Sequence, residues 1–162
     1  MLPLPYMEPF IILAVVIGLI VFLVINRRNR MLKLWQDVSR HELLFHKQLF
    51  ETAHAYVERS DLFEQIENHD TLLKVSGFEE DNLRTLTLEE RQAVFKSLQM
   101  LYVSMDEETI QSAPELKKKF EDLQNLRLKY NSKVLYYNHF ILAFPMRILS
   151  KRIGFEEKEY FG

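Results

Sequence analysis

Cysteine is absent from this 162-residue chain, which removes disulfide staples and thiol nucleophiles and fits a reducing compartment. Glycine is scarce: apart from Gly18 inside an apolar run, only Gly77, Gly154 and Gly162 occur. A phosphate-cradling P-loop, a dinucleotide-binding pattern and a nucleophile elbow need glycines at set spacings, and none of these patterns is present. An excess of one charge is missing too. With 21 Lys and Arg against 23 Asp and Glu the net charge is −2, so no single-signed field points to nucleic acid as a partner. No segment sustains the two-residue alternation of a half-buried strand. What remains is helix.

One stretch does not belong in a soluble fold. Residues 10–25, FIILAVVIGLIVFLVI, run for sixteen residues without a polar side chain. Such a helix spans roughly 24 Å, and snorkelling of Arg27 and Arg28 at one end brings it closer to the ~30 Å hydrocarbon thickness. A cleaved signal peptide would carry its positive charge before the run and small residues after it. Here MLPLPYMEP has no Lys or Arg, and NRRNRMLK follows. The same asymmetry predicts residues 1–9 outside, a transmembrane helix at 10–25, and residues 26–162 as a single cytoplasmic domain. Arg27, Arg28, Arg30 and Lys33 fall where anionic headgroups lie, each worth about 1 kcal/mol near the surface. They also serve as ordinary topology determinants, and the two roles are compatible.

Helical periodicity dominates the rest and predicts an all-α fold, an antiparallel bundle of three or four helices on a membrane anchor. A first helix over about 31–59 places Trp35, Val38, Phe45, Leu49, Ala53 and Tyr56 at spacings of three, four or seven. It either breaks near Ser60, with a shorter helix over 61–76, or continues. Residues 77–87 read as a loop, and a Thr87/Glu90 capping box opens a helix over 88–107. A second box, Ser112 with Glu115, predicts the start of a helix over 113–143 with Pro114 in its first turn. There Leu116, Phe120, Leu123, Tyr130, Val134, Tyr137 and Ile141 form a continuous stripe, with Arg127 the one polar intruder. Pro145 ends it, because helical geometry is disfavoured at Phe144.

The strings that resemble catalytic motifs fail on geometry. HELLFH at 41–46 sets its histidines five apart, about 140° round a helix, whereas a zinc-protease helix needs them four apart on one face. His54 with Glu58 lacks further ligands nearby, and His69-Asp70 and His139 are isolated. The carboxylate clusters Glu79–Asp81 and Asp106–Glu108 fall where loops or helix ends are expected and read as solvated caps. No catalytic residue, metal or cofactor is expected, and a metal-dependent hydrolase is a remote alternative.

Within that last helix Tyr-Asn stands at 130–131 and again at 137–138, and Phe-Pro follows at 144–145, each step one heptad. Seven residues fall about 20° short of two turns, so both tyrosines lie on the buried stripe and both asparagines at its border. The amides there bridge to a neighbouring helix and fix its register, or else line a polar groove that reads a peptide or a headgroup. Residues 130–161, YNSKVLYYNHFILAFPMRILSKRIGFEEKEYF, resemble the C-terminal signature of the LemA family. That pattern is YN, five residues, YN, five residues, FP, then an apolar stretch, GF, and a closing aromatic pair. It matches at Tyr130-Asn131, Val134, Tyr137-Asn138, Ile141, Phe144-Pro145, Gly154-Phe155 and Tyr160-Phe161. The resemblance implies a helical bundle, N-terminus out and C-terminus in, in a bacterial cell membrane. It implies no reaction and no cofactor. The function expected is that of a non-enzymatic adaptor or scaffold docking other membrane or envelope proteins at the inner face. The alternative is a homo-oligomer that organises the membrane by binding anionic lipid.

One departure from the family pattern is basic: MRILSKRIGF carries Arg147, Lys151 and Arg152 above an apolar face of Met146, Ile148, Leu149, Ile153 and Phe155. Such a segment suits a membrane interface. If the first helix breaks near Ser60, four cytoplasmic helices return this segment to the bilayer. If it is continuous, three helices leave the segment at the far end, where it caps the bundle.

Overall fold

The structure, a computed structural model, describes residues 7–63 and 85–162. Those residues are all-α, with a long apolar N-terminal helix running into a helical bundle. Helix α1, Met7–Glu58, is 52 residues long, about 78 Å at 1.5 Å per residue. The expected membrane helix and first bundle helix are therefore one rod. Nothing in INRRNRMLK, residues 25–33, caps or breaks a helix, so the backbone ladder runs straight through. The Phe10–Ile25 stretch is exposed along its whole length, and α1 contains a window long and apolar enough to cross a membrane.

The first helix ends at Glu58, and Ser60–Phe63 forms a single 3₁₀ turn rather than the start of an α-helix. Phe63 stacks on Tyr56 at 5.5 Å and closes that end of the core. The remainder of the helix expected over 61–76, and residues 77–84 of the expected loop, lie outside the described residues, as do His69, Asp70 and the Glu79–Asp81 cluster.

Helix α2, Leu88–Ser104, opens with the expected capping box: the Thr87 hydroxyl accepts from the Glu90 N–H at 3.2 Å, and the Glu90 carboxylate accepts from the Thr87 N–H at 2.7 Å. It stops three residues before the expected 107, because Met105 turns extended to slide its sulfur under the Tyr56 hydroxyl, 3.7 Å away. Asp106 then caps a short helix α3, Glu107–Ser112, by accepting from the Thr109 N–H at 2.8 Å. That cap displaces the expected Ser112/Glu115 box. Ser112 is the last residue of α3 and its hydroxyl donates back to the Thr109 carbonyl, while Ala113 starts helix α4, Pro114–Leu142, with Pro114 in its first turn.

The α4 stripe from Leu116 to Ile141 is buried as its spacing predicts. Arg127 lies beside it with its guanidinium 4.9 Å from the centre of the Phe95 ring, a cation–π contact that lets a charge border the core. Against it α1 supplies Met31, Val38, Phe45, Leu49, Ala53 and Tyr56, all buried. Trp35 is the exception: it stands at the rim, 40% exposed, edge-on to Phe155 at 6.1 Å.

Helix directions follow from the contacts. Helix α4 is antiparallel to α1: Tyr56 donates to the Leu116 carbonyl at 3.3 Å, Lys133 pairs with Asp37 at 2.8 Å, and Arg30 lies over the Phe140 ring. Helix α2 runs parallel to α1, from Arg91 beside His46 and Phe95 beside Phe45 to Met105 beside Tyr56. Helix α2 therefore begins at mid-height beside α1. The first helix breaks near Ser60, and the antiparallel α4 brings its end back toward the apolar run. This is the placement expected for a first helix that breaks near Ser60; the fourth helix of that expectation, over 61–76, lies for the most part outside the described residues. Helix α5, Met146–Arg152, faces Leu23 and Val24 across an open groove.

Candidate functional site

Because α2 starts only at mid-height, among the described residues no third helix lies on the half of the α1/α4 pair nearest the apolar run. The last residues of the chain supply that wall. After α5, Gly154 adopts φ +76°, a left-handed turn that glycine makes without strain, and the Phe155 N–H donates to the Ser150 carbonyl at 2.9 Å. Residues 156–161 then run extended along α4 in the opposite direction.

The two Tyr-Asn pairs hold this segment by its main chain. Asn138 donates to the Lys158 carbonyl at 2.8 Å and accepts from the Lys158 N–H at 2.9 Å. Asn131 does the same for Phe161, at 2.8 and 2.9 Å. Tyr137 donates to the Glu156 carbonyl and Tyr130 to the Glu159 carbonyl, both at 2.9 Å. The repeat lengths match: seven helical residues rise about 10.5 Å and three extended residues about 10 Å. One heptad on α4 thus advances the strap by three residues, from 156 to 159 and from 158 to 161. A side-chain amide has the same donor and acceptor as a peptide group, so each asparagine acts as one rung of a ladder.

The strap ends in a socket. Phe161 is buried edge-on to Phe45 at 4.5 Å and to Phe95 at 5.5 Å, and Phe45 stacks on Tyr130. Lys158 pairs with Glu42 at 3.3 Å. The amides were expected to bridge to a neighbouring helix; they bridge instead to an extended segment of the same chain. Of the signature residues, Val134 and Ile141 are core, Phe144 and Pro145 are exposed at the end of α4, and Tyr160 faces outward beside buried Phe161.

Burial holds the Tyr130 phenol protonated up to about 12, with the Glu42 carboxylate pushing the same way, and burial also raises Tyr137. Phenols whose folded pKa exceeds the free value of about 10 contribute stability that is complete below pH 10 and lost as pH rises through their folded pKa. Circular dichroism across pH 9–12.5 should show the bundle weakening over that window, with a smaller slope in Tyr130→Phe. On the acid side the hydrogen bond from Lys133 lowers the Asp37 carboxyl, so the α1–α4 tie it makes is lost as pH falls through that depressed value.

The residues singled out for headgroup contact divide into groups. Arg27, Arg28, Arg30, Lys33, Arg147, Lys151 and Arg152 are all exposed. Arg27 and Arg152 are brought together in one groove between α1 and α5, with Phe144 and Ile148. Arg147 and Lys151 lie on another side of α5, near Glu156 and Glu157 of the strap. Arg30 is occupied over Phe140, Lys33 stands near Asp37 and Arg40, and Arg28 is brought to none of these groups. Among the described residues the histidines do not converge: His41 bonds within its own turn to the Asp37 carbonyl, and His46 meets Arg91. Among the described residues no three His, Cys, Asp or Glu side chains gather as a metal site.

A second leucine stripe escaped the sequence reading. Leu128, Leu135 and Leu142 stand a heptad apart on α4, and all three are exposed, at 60%, 57% and 45%. Their offset of two residues from Tyr130 and Tyr137 places them about 200° round the helix, on its outer face. The heptad signal is present in the sequence, but it shares its period with the stronger Leu116–Ile141 stripe, and period alone does not tell a buried face from an exposed one. No family model matches the chain, and no curated protein and no solved structure matches it.

Proposed function

We propose that this chain is a LemA-like, single-pass protein of a bacterial inner membrane, with its N-terminus outside and its bundle in the cytoplasm. In this reading it is not an enzyme but an adaptor that docks other envelope proteins. The Tyr-Asn clamp supports the family reading by giving the signature a physical meaning. The seven-residue spacing, the Gly-Phe turn and the closing aromatic pair all serve one strap. The adaptor role is carried by the leucine stripe on α4. It is apolar, exposed, about 21 Å long and heptad-spaced, as a surface for an amphipathic helix of a partner protein requires.

The test is extraction of the full-length chain in native-lipid particles, with mass determination and identification of co-purifying proteins. A foreign protein at fixed ratio, reduced about tenfold or more by replacing Leu128, Leu135 and Leu142 with Ser, supports the adaptor. Those side chains are exposed, so the melting temperature of the bundle should stay within a few degrees. A homo-oligomer carrying only lipid would sink it in favour of the second reading, membrane organisation through anionic lipid. That reading is favoured by one observation, the placement of basic α5 beside the end of the apolar run.

A further inference from the structure

Between α1 and α5 lies a groove of about 450 Å³, within the ~300–1,000 Å³ range of small-molecule sites. Its two walls repeat one pattern. On α1, Leu23 and Val24 are followed on the same face by Arg27. On α5, Ile148 and Leu149 are followed on the same face by Arg152. Each wall thus runs from apolar to cationic within one helical turn. The floor is apolar, no carboxylate lines the groove, and among the described residues neither arginine has an ion-pair partner.

Position selects the ligand. Leu23 and Val24 belong to the last turn of the apolar run, and Arg27 is the first charged residue after it. If the run crosses the bilayer, the groove straddles the boundary between hydrocarbon and headgroups on the inner side. Phe144 stands at its mouth with 85% of its surface exposed, and Ile148 with 54%. In water those two rings and chains are a liability; at that depth acyl chains cover them. Guanidinium groups make bidentate bonds to phosphate, and basic side chains near an anionic surface are attracted by its potential.

We propose that this groove is a specific site for one anionic phospholipid of the inner leaflet. Its acyl chain lies against Leu23, Val24, Phe144 and Ile148, and its phosphate lies between Arg27 and Arg152. The site rests on the membrane-span reading and sharpens the second functional reading: lipid is a bound component that ties α5 to α1, not only the solvent of the anchor.

The test uses the full-length chain in bilayer nanodiscs of phosphatidylglycerol and phosphatidylcholine with identical acyl chains. The protein is then extracted in mild detergent and its retained lipid counted by native mass spectrometry. One phosphatidylglycerol per chain should be retained over phosphatidylcholine, and the pair Arg27→Gln and Arg152→Gln should lower its retention about tenfold or more. Phe144→Ser should reduce retention of both lipids. Arg40→Gln, on an exposed charge outside the groove, should change neither. Equal retention of the two lipids, insensitivity to the arginine pair, or displacement by millimolar glycerol phosphate would each overturn the site. Flotation with vesicles separates the two levels. A chain that floats but does not discriminate loses only the site, and a chain that fails to float loses the membrane reading with it.

Discussion

Phe161→Ala should cost the bundle about 3–5 kcal/mol, because a buried aromatic is deleted from a packed site. The ring sits edge-on to Phe45 and Phe95, so its loss opens a space inside an aromatic cluster. Removing residues 156–162 should cost more, since Lys158, Glu159 and Phe161 leave together and Asn131, Asn138, Tyr130 and Tyr137 lose their main-chain partners. A domain of this size holds typically ~5–15 kcal/mol in total. The truncated chain should therefore open in the half between Met31 and Phe45 while the end around Tyr56 and Leu116 persists. Hydrogen exchange on the intact and truncated chains in detergent would read this directly. Uniform protection of α1 in both would show that the strap is decoration and that α1 and α4 close the core unaided.

Asn131→Ala together with Asn138→Ala should be the next largest loss, about 2–5 kcal/mol. Each asparagine makes two bonds to the strap, and each substitution leaves a main-chain N–H and C=O half-shielded without a partner. Two features distinguish a clamp from ordinary surface amides. First, the double substitution should cost no more than the truncation, because both act by releasing the same strap; neighbouring sites on one element do not add freely. Second, Asn138→Asp should retain the acceptor for the Lys158 N–H but lose the donor to the Lys158 carbonyl, and so fall between wild type and Asn138→Ala near neutral pH. Denaturant melts followed by circular dichroism decide both points. An Asn138→Asp variant as stable as wild type would mean that the amide donor contributes nothing.

The legible parts of the fold were those fixed by local rules. The Thr87/Glu90 box forms because both of its bonds close within four residues. The stripe from Leu116 to Ile141 is buried because a 3.6-residue period leaves it no other place to go. The Ser112/Glu115 box obeyed the same rule and failed, since Asp106 offers a cap earlier in the chain and α3 uses Ser112 as its last residue. Two local signals competed, and the sequence does not rank them.

The strap was illegible for a different reason. EEKEYF has no period and little apolar content apart from its closing pair, so its conformation is set by what it lies on. The tyrosines and asparagines named the groove, but an amide can pair with a helix side chain, a headgroup or an extended backbone. Only the absence of α2 from the half of the bundle nearest the apolar run leaves a slot shaped for a single extended chain.

The sequence by itself determined an all-α chain with one apolar run, a buried heptad stripe, and paired polar residues at that stripe's edge, because these depend on composition and periodicity along one helix. Which way α2 runs, whether α5 meets the apolar run, and what the Tyr-Asn pairs hold were decided only by the tertiary structure. Each depends on how a connection crosses space, and no residue pattern within a single helix encodes that path.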